Sequence, residues 1–518
     1  MTVSNYDQVP YESHAYANTH PENLYTVGKL FGMKPVSPKK ARVLELGCAS
    51  GGNIIPMALQ LPKSEFVGID LSSVQIEEGN RHIEKLKIEN LTLKNISITD
   101  INKDLGKFDY IIVHGVFSWV PKDVQEKILA ICNENLSANG VAYVSYNTLP
   151  GWNTIKSIRE MMLYHTRKFE QPAEKVIQAR LLLDFIKNSA DKNSVYSEVI
   201  QSEIEILKSA SDSYLFHDHL EENNDPVYFH QFVEGAISNG LQYIADTDIA
   251  SMFAGNFAKG TADILMQASD DAVRIEQYMD FVRNRRFRSS LLCHKNVVLN
   301  KVLRPDSIGD LYVTWNLETD RDFKDIDFTK NENVTFTRKG YNFSFTTNNS
   351  IVIAALLYII EKNTLVSVKS IITETKKRLG SKANAEAVEK VVKETLLRLV
   401  LAGMQISAFA PNYATKLSDK PKASSLARYQ ATYLPWVTSE KLQKVNVDLF
   451  ARVMCQYLNG ENDFDAIVAN MVKHVVNNDL ALNQDGKKVT DKKQIEANVR
   501  NMSREILEKF VPNGLLVA

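Results

Sequence analysis

The chain has 518 residues, a formal net charge of −1, 44% hydrophobic and 24% charged residues. That length exceeds what one hydrophobic core organises, so about two or three domains are expected, and the near-neutral charge supplies neither a basic field for nucleic acid nor a polybasic membrane anchor. The four cysteines (Cys48, Cys132, Cys293, Cys455) are too scattered for a disulfide framework or a cysteine zinc site, no signal-peptide pattern opens the chain, and the longest apolar run, 351–360, is too short for a bilayer; a cytoplasmic protein with no stable membrane association is expected.

From 41 to 150 strand and helix signals alternate. Compact runs rich in β-branched and aromatic residues at 41–47, 65–70, 91–97, 108–115 and 140–148 predict strands, and the stretches between them carry helical spacing. This alternation predicts a parallel sheet with helices on both faces. Residues 151–235 then turn helical and charged, and strand-like runs at 240–246 and 288–296 complete the sheet after that insertion. The expected domains are a Rossmann-like catalytic domain over 1–165 and 236–300, with a helical insertion at 166–235 that serves as lid, substrate platform or dimer interface. A middle domain over 301–410 combines a hairpin at Lys339-Gly340 with a winged-helix-like unit, and 411–518 holds a linker and a helical domain. The basic run "RNRRFR" at 283–288 reads as a solvated helix face.

Ligands of an open α/β sheet sit outside the carboxyl ends of its strands. After the first strand come Glu45-x-Gly47-x-Ala49-x-Gly51, after the second Asp70, after the third Asp100, and after the fourth "HGVFSW" at 114–119. A carboxylate at the second strand end accepts hydrogen bonds from both hydroxyls of a ribose. A dinucleotide loop needs glycine at its middle position so that backbone approaches the pyrophosphate. That position is Ala49, and Glu45 puts negative charge where a pyrophosphate would lie. S-adenosylmethionine has no phosphate and carries positive amino and sulfonium groups, so the loop favours that cofactor over a nicotinamide nucleotide.

The segments "YDQVPYESHAYANTHPENL" (6–24), "ELGCASGGNIIPMA" (45–58), "GIDLSSVQI" (68–76), "FDYIIVHGVFSWVP" (108–121), "YVSYNTLPGW" (143–152), 217–246, "ARYQA" (427–431) and 458–472 carry a further resemblance. Together they resemble class I, seven-stranded S-adenosylmethionine-dependent methyltransferases with a regulatory domain, and within them the rickettsial protein lysine methyltransferases, which modify an outer-membrane surface antigen. The resemblance implies a seven-stranded sheet, to which the helix pattern after 305 adds a mostly helical C-terminal region with a winged-helix-like unit. It also implies methylation of protein lysines, with that antigen as partner, and a homodimer. It assigns the cofactor to Tyr6, Glu45, Gly47, Cys48, Ala49, Gly51, Asn53, Asp70, Leu71, Gln75, Asp100, Ile101, His114, Gly115 and Val116, with Asp70 at the ribose and Leu71 on the adenine.

Methyl transfer needs a neutral amine in line with the sulfur–methyl bond, and positioning supplies much of the acceleration. Aromatic faces hold ammonium and methylammonium groups; Trp119, Tyr146 and Trp152, with Tyr6, Tyr11 and His14 from the N-terminal segment, are candidates for positioning the acceptor. His217, His219, Glu221, Asp225 and His230 lack the spacing of a metal site, so no metal is expected. A small-molecule acceptor, a different protein side chain and a cofactor-binding regulator without turnover stay open alternatives, with a nicotinamide oxidoreductase behind them.

Overall fold

In a computed structural model the described residues are 13–208, 210–321, 325–330, 332–341, 343–380, 384–484 and 487–518, with the side chains of 484, 487 and 488 set aside. After helix α1 (Pro21–Leu30), the chain builds β1 (Arg42–Leu46), α2 (Ile54–Gln60), β2 (Glu65–Asp70), α3 (Ser73–Leu86), β3 (Leu91–Asn95), β4 (Phe108–Val113), α4 (Lys122–Glu134) and β5 (Leu136–Asn147). Five helices follow: α5 (Trp152–Thr166), α6 (Pro172–Ser189), α7 (Val195–Lys208), α8 (Asp212–His219) and α9 (Phe229–Ser238). Then come β6 (Leu241–Asp246), α10 (Lys259–Ala268), α11 (Ala272–Arg283) and β7 (Phe287–His294).

The seven strands form one sheet in the order β3-β2-β1-β4-β5-β7-β6, with β7 antiparallel to both neighbours. The expected seven-stranded sheet is present. Its central strands are buried on both faces, which explains why they read as apolar runs rather than alternating ones. Strand order reverses between β1 and β4, so a crevice opens at their carboxyl ends, where Glu45 and His114 lie.

The run at 283–288 is not a solvated helix face. It ends α11, turns at Asn284 (φ 49°) and enters β7, and Arg288 is fully buried. Arg288 Nε and Nη2 donate to Asp280 at 2.7 and 2.9 Å, and Nη1 to Glu276 at 2.9 Å; Arg285 Nη2 donates to Asp246 at 2.9 Å. The guanidinium groups balance carboxylates inside the fold, as buried charge requires.

Beyond the sheet, β8 (Tyr312–Thr314), β9 (Leu317–Thr319), β10 (Val334–Arg338) and β11 (Ser344–Thr347) lead into α12 (Ser350–Lys362), β12 (Val366–Ser367), α13 (Val368–Leu379), α14 (Ala385–Leu401) and β13 (Gln405–Ser407). Strands β10 and β11 pair as a hairpin turned at Gly340 (φ 80°), and β12-β8-β13 form a small sheet beside the three helices. The core of this unit, including Leu311, Phe336 and Leu396, runs without a break into the sheet core around Leu24, Val43 and Tyr143. The helices of the insertion and the C-terminal residues after 422 each have a separate core. The latter comprises α15 (Ser425–Gln430), the hairpin β14 (Trp436–Thr438) and β15 (Lys444–Asn446), α16 (Leu449–Cys455), α17 (Phe464–Val476), the short strands β16 (Asn483–Gln484) and β17 (Lys487–Lys488), and α18 (Lys492–Phe510).

Candidate functional site

The loop after β1 turns on Gly47 (φ 74°), whose added Cβ would lie 2.5 Å from Val116 Cγ2. The N–H groups of Gly47 and Cys48 both donate to Ile69 O at 2.9 Å, and those of Gly51 and Gly52 to Cys48 O and Ser13 Oγ, each at 2.9 Å. Ala49 takes the left-handed conformation (φ 47°), and its N–H donates to Asp70 Oδ2 at 2.8 Å. With these amides committed to protein acceptors, the loop has no cradle for a pyrophosphate, in agreement with the reading of Glu45 and Ala49.

Glu45 is only 3% exposed; its Oε1 accepts from Asn53 Nδ2 at 2.6 Å, whereas Oε2 is buried without a partner. Burial pushes its carboxyl up to about 7; the Asn53 bond opposes this and the Asp70 charge adds to it. A buried acid with one open oxygen at a strand end fits a cationic amino group. Asn53 also accepts from the Tyr16 N–H at 2.9 Å and exchanges hydrogen bonds with Thr19 Oγ1 at 3.0 and 3.1 Å. Residues 13–19 are thereby laid over the loop; an added Cβ at Gly52 would come within 2.3 Å of Ser13 O.

Asp70 accepts from the Ser72 N–H through Oδ1 at 2.9 Å and from the Ala49 N–H through Oδ2, and a carboxylate oxygen can accept more than one hydrogen bond. Leu71, next to it, is a large apolar side chain left 66% exposed, a platform for a flat apolar ring. Gln75 is buried with Oε1 unpartnered. Asp100 is exposed and Ile101 buried, on the 3-10 turn after β3. At the end of β4, His114 Nδ1 meets Tyr143 OH at 2.9 Å and Ser145 Oγ at 3.3 Å. Its ring packs 3.9 Å from that of Tyr16, and burial pushes it down to about 4, so it stays neutral. Gly115 is exposed and faces open space, with half-buried Val116 beside it. Cys48 is buried, and desolvation with the Glu45 and Asp70 charges pushes its thiol well up, which suits packing rather than nucleophilic attack.

The acceptor-positioning candidates separate. Trp119 and Trp152 stay together, edge to face with centroids 6.2 Å apart, and Trp152 Nε1 donates to Asn224 Oδ1 at 2.7 Å. Tyr146 is instead a core residue, stacked 4.1 Å from Phe232 with its hydroxyl 3.0 Å from Ser290 Oγ; its position in β5 turns it away from His114. His14 leaves the cluster for the C-terminal hairpin and meets Trp436 edge-on at 5.0 Å. Tyr6 and Tyr11 lie outside the described residues. Ser13, Tyr16, Thr19, Ser145 and Phe287 join the site unforeseen, because only folding brings their segments to the strand ends. Among the described residues no group of three or more His, Cys, Asp or Glu could hold a metal ion.

Comparison with known proteins matches three family descriptions. These are a methyltransferase domain at residues 44–142, a predicted methyltransferase regulatory domain at 211–294, and the PKMT C-terminal winged helix domain at 419–515. The chain is 40% identical to the uncharacterized protein RP789 of Rickettsia prowazekii (strain Madrid E), over 99% of this chain and 93% of that one. Its structure is similar to that of PKMT2 from Rickettsia typhi in complex with AdoHcy, with a TM-score of 0.88, 37% identity, and coverage of 98% of this chain and 100% of that chain. A second PKMT2 structure from the same organism gives a TM-score of 0.87 at 36% identity.

Proposed function

The chain belongs to the PKMT family of S-adenosylmethionine-dependent protein lysine methyltransferases, and from that membership we propose that it methylates lysines of an outer-membrane surface protein, in the cytoplasm and as a homodimer. The buried Glu45 carboxyl, with Oε2 open at the end of β1, is the observation that carries the cofactor's placement. Glu45 would hold its amino group, Asp70 its ribose and Leu71 its adenine, while Asp100, Ile101 and Gln75 line the adenine end. Gly47, Ala49, Gly51, His114, Gly115 and Val116 would surround the methionine portion, and residues 13–19 exclude water above it. When bound, S-adenosylmethionine supplies a methyl group on a positive sulfur.

The protein's own residues have to present a neutral amine, since lysine titrates near about 10.4 in water. A desolvated entrance beside the positive sulfur disfavours the ammonium form. No strong base among the described site residues is needed once the amine arrives neutral; the product's proton leaves to solvent. Half-buried Trp119, backed edge to face by buried Trp152, would offer a face for the alkyl stem near the carboxyl end of β5.

The dimer reading rests on α6, where Ile177, Leu181 and Phe185, spaced one helical turn apart, are all exposed. Light scattering that finds a monomer at micromolar concentration would remove it. Among the described residues no helix is long and apolar enough to cross a membrane. The decisive assay incubates the chain with labelled S-adenosylmethionine and the rickettsial surface antigen and maps the labelled peptides. Methyl groups on lysine support the reading, and label elsewhere or none removes it.

A further inference from the structure

Asn147 is the last residue of β5, at the carboxyl end of the strand beside β4. Side chains alternate along a strand, so Tyr143, Ser145 and Asn147 share one face. The first two are fully engaged there. Tyr143 OH lies 2.9 Å from His114 Nδ1 and donates to Ser289 Oγ at 3.1 Å, and Ser145 Oγ accepts from the Gly115 N–H at 2.9 Å. Asn147 comes next on that face and is different. It is 4% exposed, its Nδ2 is buried without a partner, and its side-chain oxygen receives no donor among the described residues. Its backbone is committed, the N–H to Ser118 Oγ at 2.9 Å and the carbonyl to the Val227 N–H at 3.2 Å, so the carboxamide is held in place without being used.

The surroundings locate what is missing. Phe287 sits directly opposite Asn147 on β7, exposed, with its ring 6.3 Å from that of His114, which in turn packs on Tyr16. The idle carboxamide therefore lies on the site face of the sheet, one step beyond the residues that brace His114 and Gly115. A buried amide left unsatisfied is tolerated where a ligand completes it.

We propose that the Asn147 carboxamide receives the acceptor amine, its oxygen accepting one N–H so that the nitrogen lone pair points at the methyl group. This rests on the lysine methyltransferase reading above and adds the residue that aims the nucleophile. The amine lone pair forms the N–CH3 bond as the C–S bond breaks, its electron pair stays on sulfur, and the resulting methylammonium loses a proton to solvent. A neutral carboxamide suits this task because a carboxylate in its place would hold lysine as the unreactive ammonium.

The test uses the full chain, a lysine-containing fragment of the rickettsial surface antigen and labelled donor. In N147A, S-adenosylhomocysteine affinity by calorimetry and the Tm stay at wild-type values, since no internal hydrogen bond is lost, whereas kcat falls about 100-fold through misaimed attack. In N147D, the rising limb of the kcat pH profile moves up by about one unit, because the added carboxylate raises the pKa of the bound acceptor. An N147A kcat near wild type, an unshifted N147D profile, or a loss of S-adenosylhomocysteine affinity in step with kcat overturns the assignment. Failure of the parent reading looks different: the wild-type chain itself would then place no methyl group on lysine.

Discussion

Glu45 combines burial, one hydrogen bond and one open oxygen, so its ionisation couples binding to pH. Its folded-state value, pushed up to about 7 by burial, lies above the roughly 4.3 of a free glutamate. It therefore favours the folded apo chain fully below about pH 4, and that contribution is lost as pH rises through 7. A cationic amino group prefers the ionised form, so S-adenosylhomocysteine affinity should rise about tenfold from pH 6 to pH 8. Calorimetry across that range checks this, and E45Q should flatten the slope; an unchanged slope in E45Q would count against the assignment. Asp70 anchors the strained Ala49 amide, and in the proposed function it holds the ribose. D70A should weaken S-adenosylhomocysteine binding at least about tenfold, equivalent to about 1.4 kcal/mol.

Among the elements, β7 with α11 shows how a basic run is misread. Arg283, Arg285, Arg286 and Arg288 look like a surface patch in one dimension. Folding puts Arg288 under Phe229, with its guanidinium 3.7 Å from the ring centroid, and against Asp280 and Glu276. R288A would strand those carboxylates in the core and should cost about 3–5 kcal/mol of stability. Urea unfolding would report it; a loss below about 1 kcal/mol, the range of an exposed pair, would mean that the cluster is not buried in solution. The same strand sets Phe287 opposite Asn147, on the side proposed for the acceptor.

Over the whole molecule, the C-terminal unit touches the cofactor half at several points. His82 on α3 meets Tyr429 OH at 3.0 Å, Gln60 donates to Glu440 O at 3.1 Å, and His14 meets Trp436. Segment 13–19 thus runs from the glycine loop to the C-terminal hairpin, which ties cofactor access to the seating of that unit. An edge-on aromatic contact contributes about 0.5–1.5 kcal/mol, so W436A should weaken S-adenosylhomocysteine binding about two- to tenfold and speed hydrogen exchange at 13–19. Unchanged exchange there would separate the hairpin from the cofactor site.

Much of this was legible in one dimension because its cause is local. Strand runs, helical spacing and the small-residue loop follow from short-range sterics and burial, and they led to the seven-stranded sheet. Glu45 and Ala49 are four residues apart, close enough for their chemistry to argue against a pyrophosphate without a structure. Asn53 joining Glu45 to Tyr16 and Thr19, Tyr146 facing the core, Arg288 buried among acids and Asn147 left unpaired were decided only by the tertiary structure. Each depends on partners drawn from distant segments, and whether a polar side chain is satisfied is a property of the packed site that no sequence spacing records.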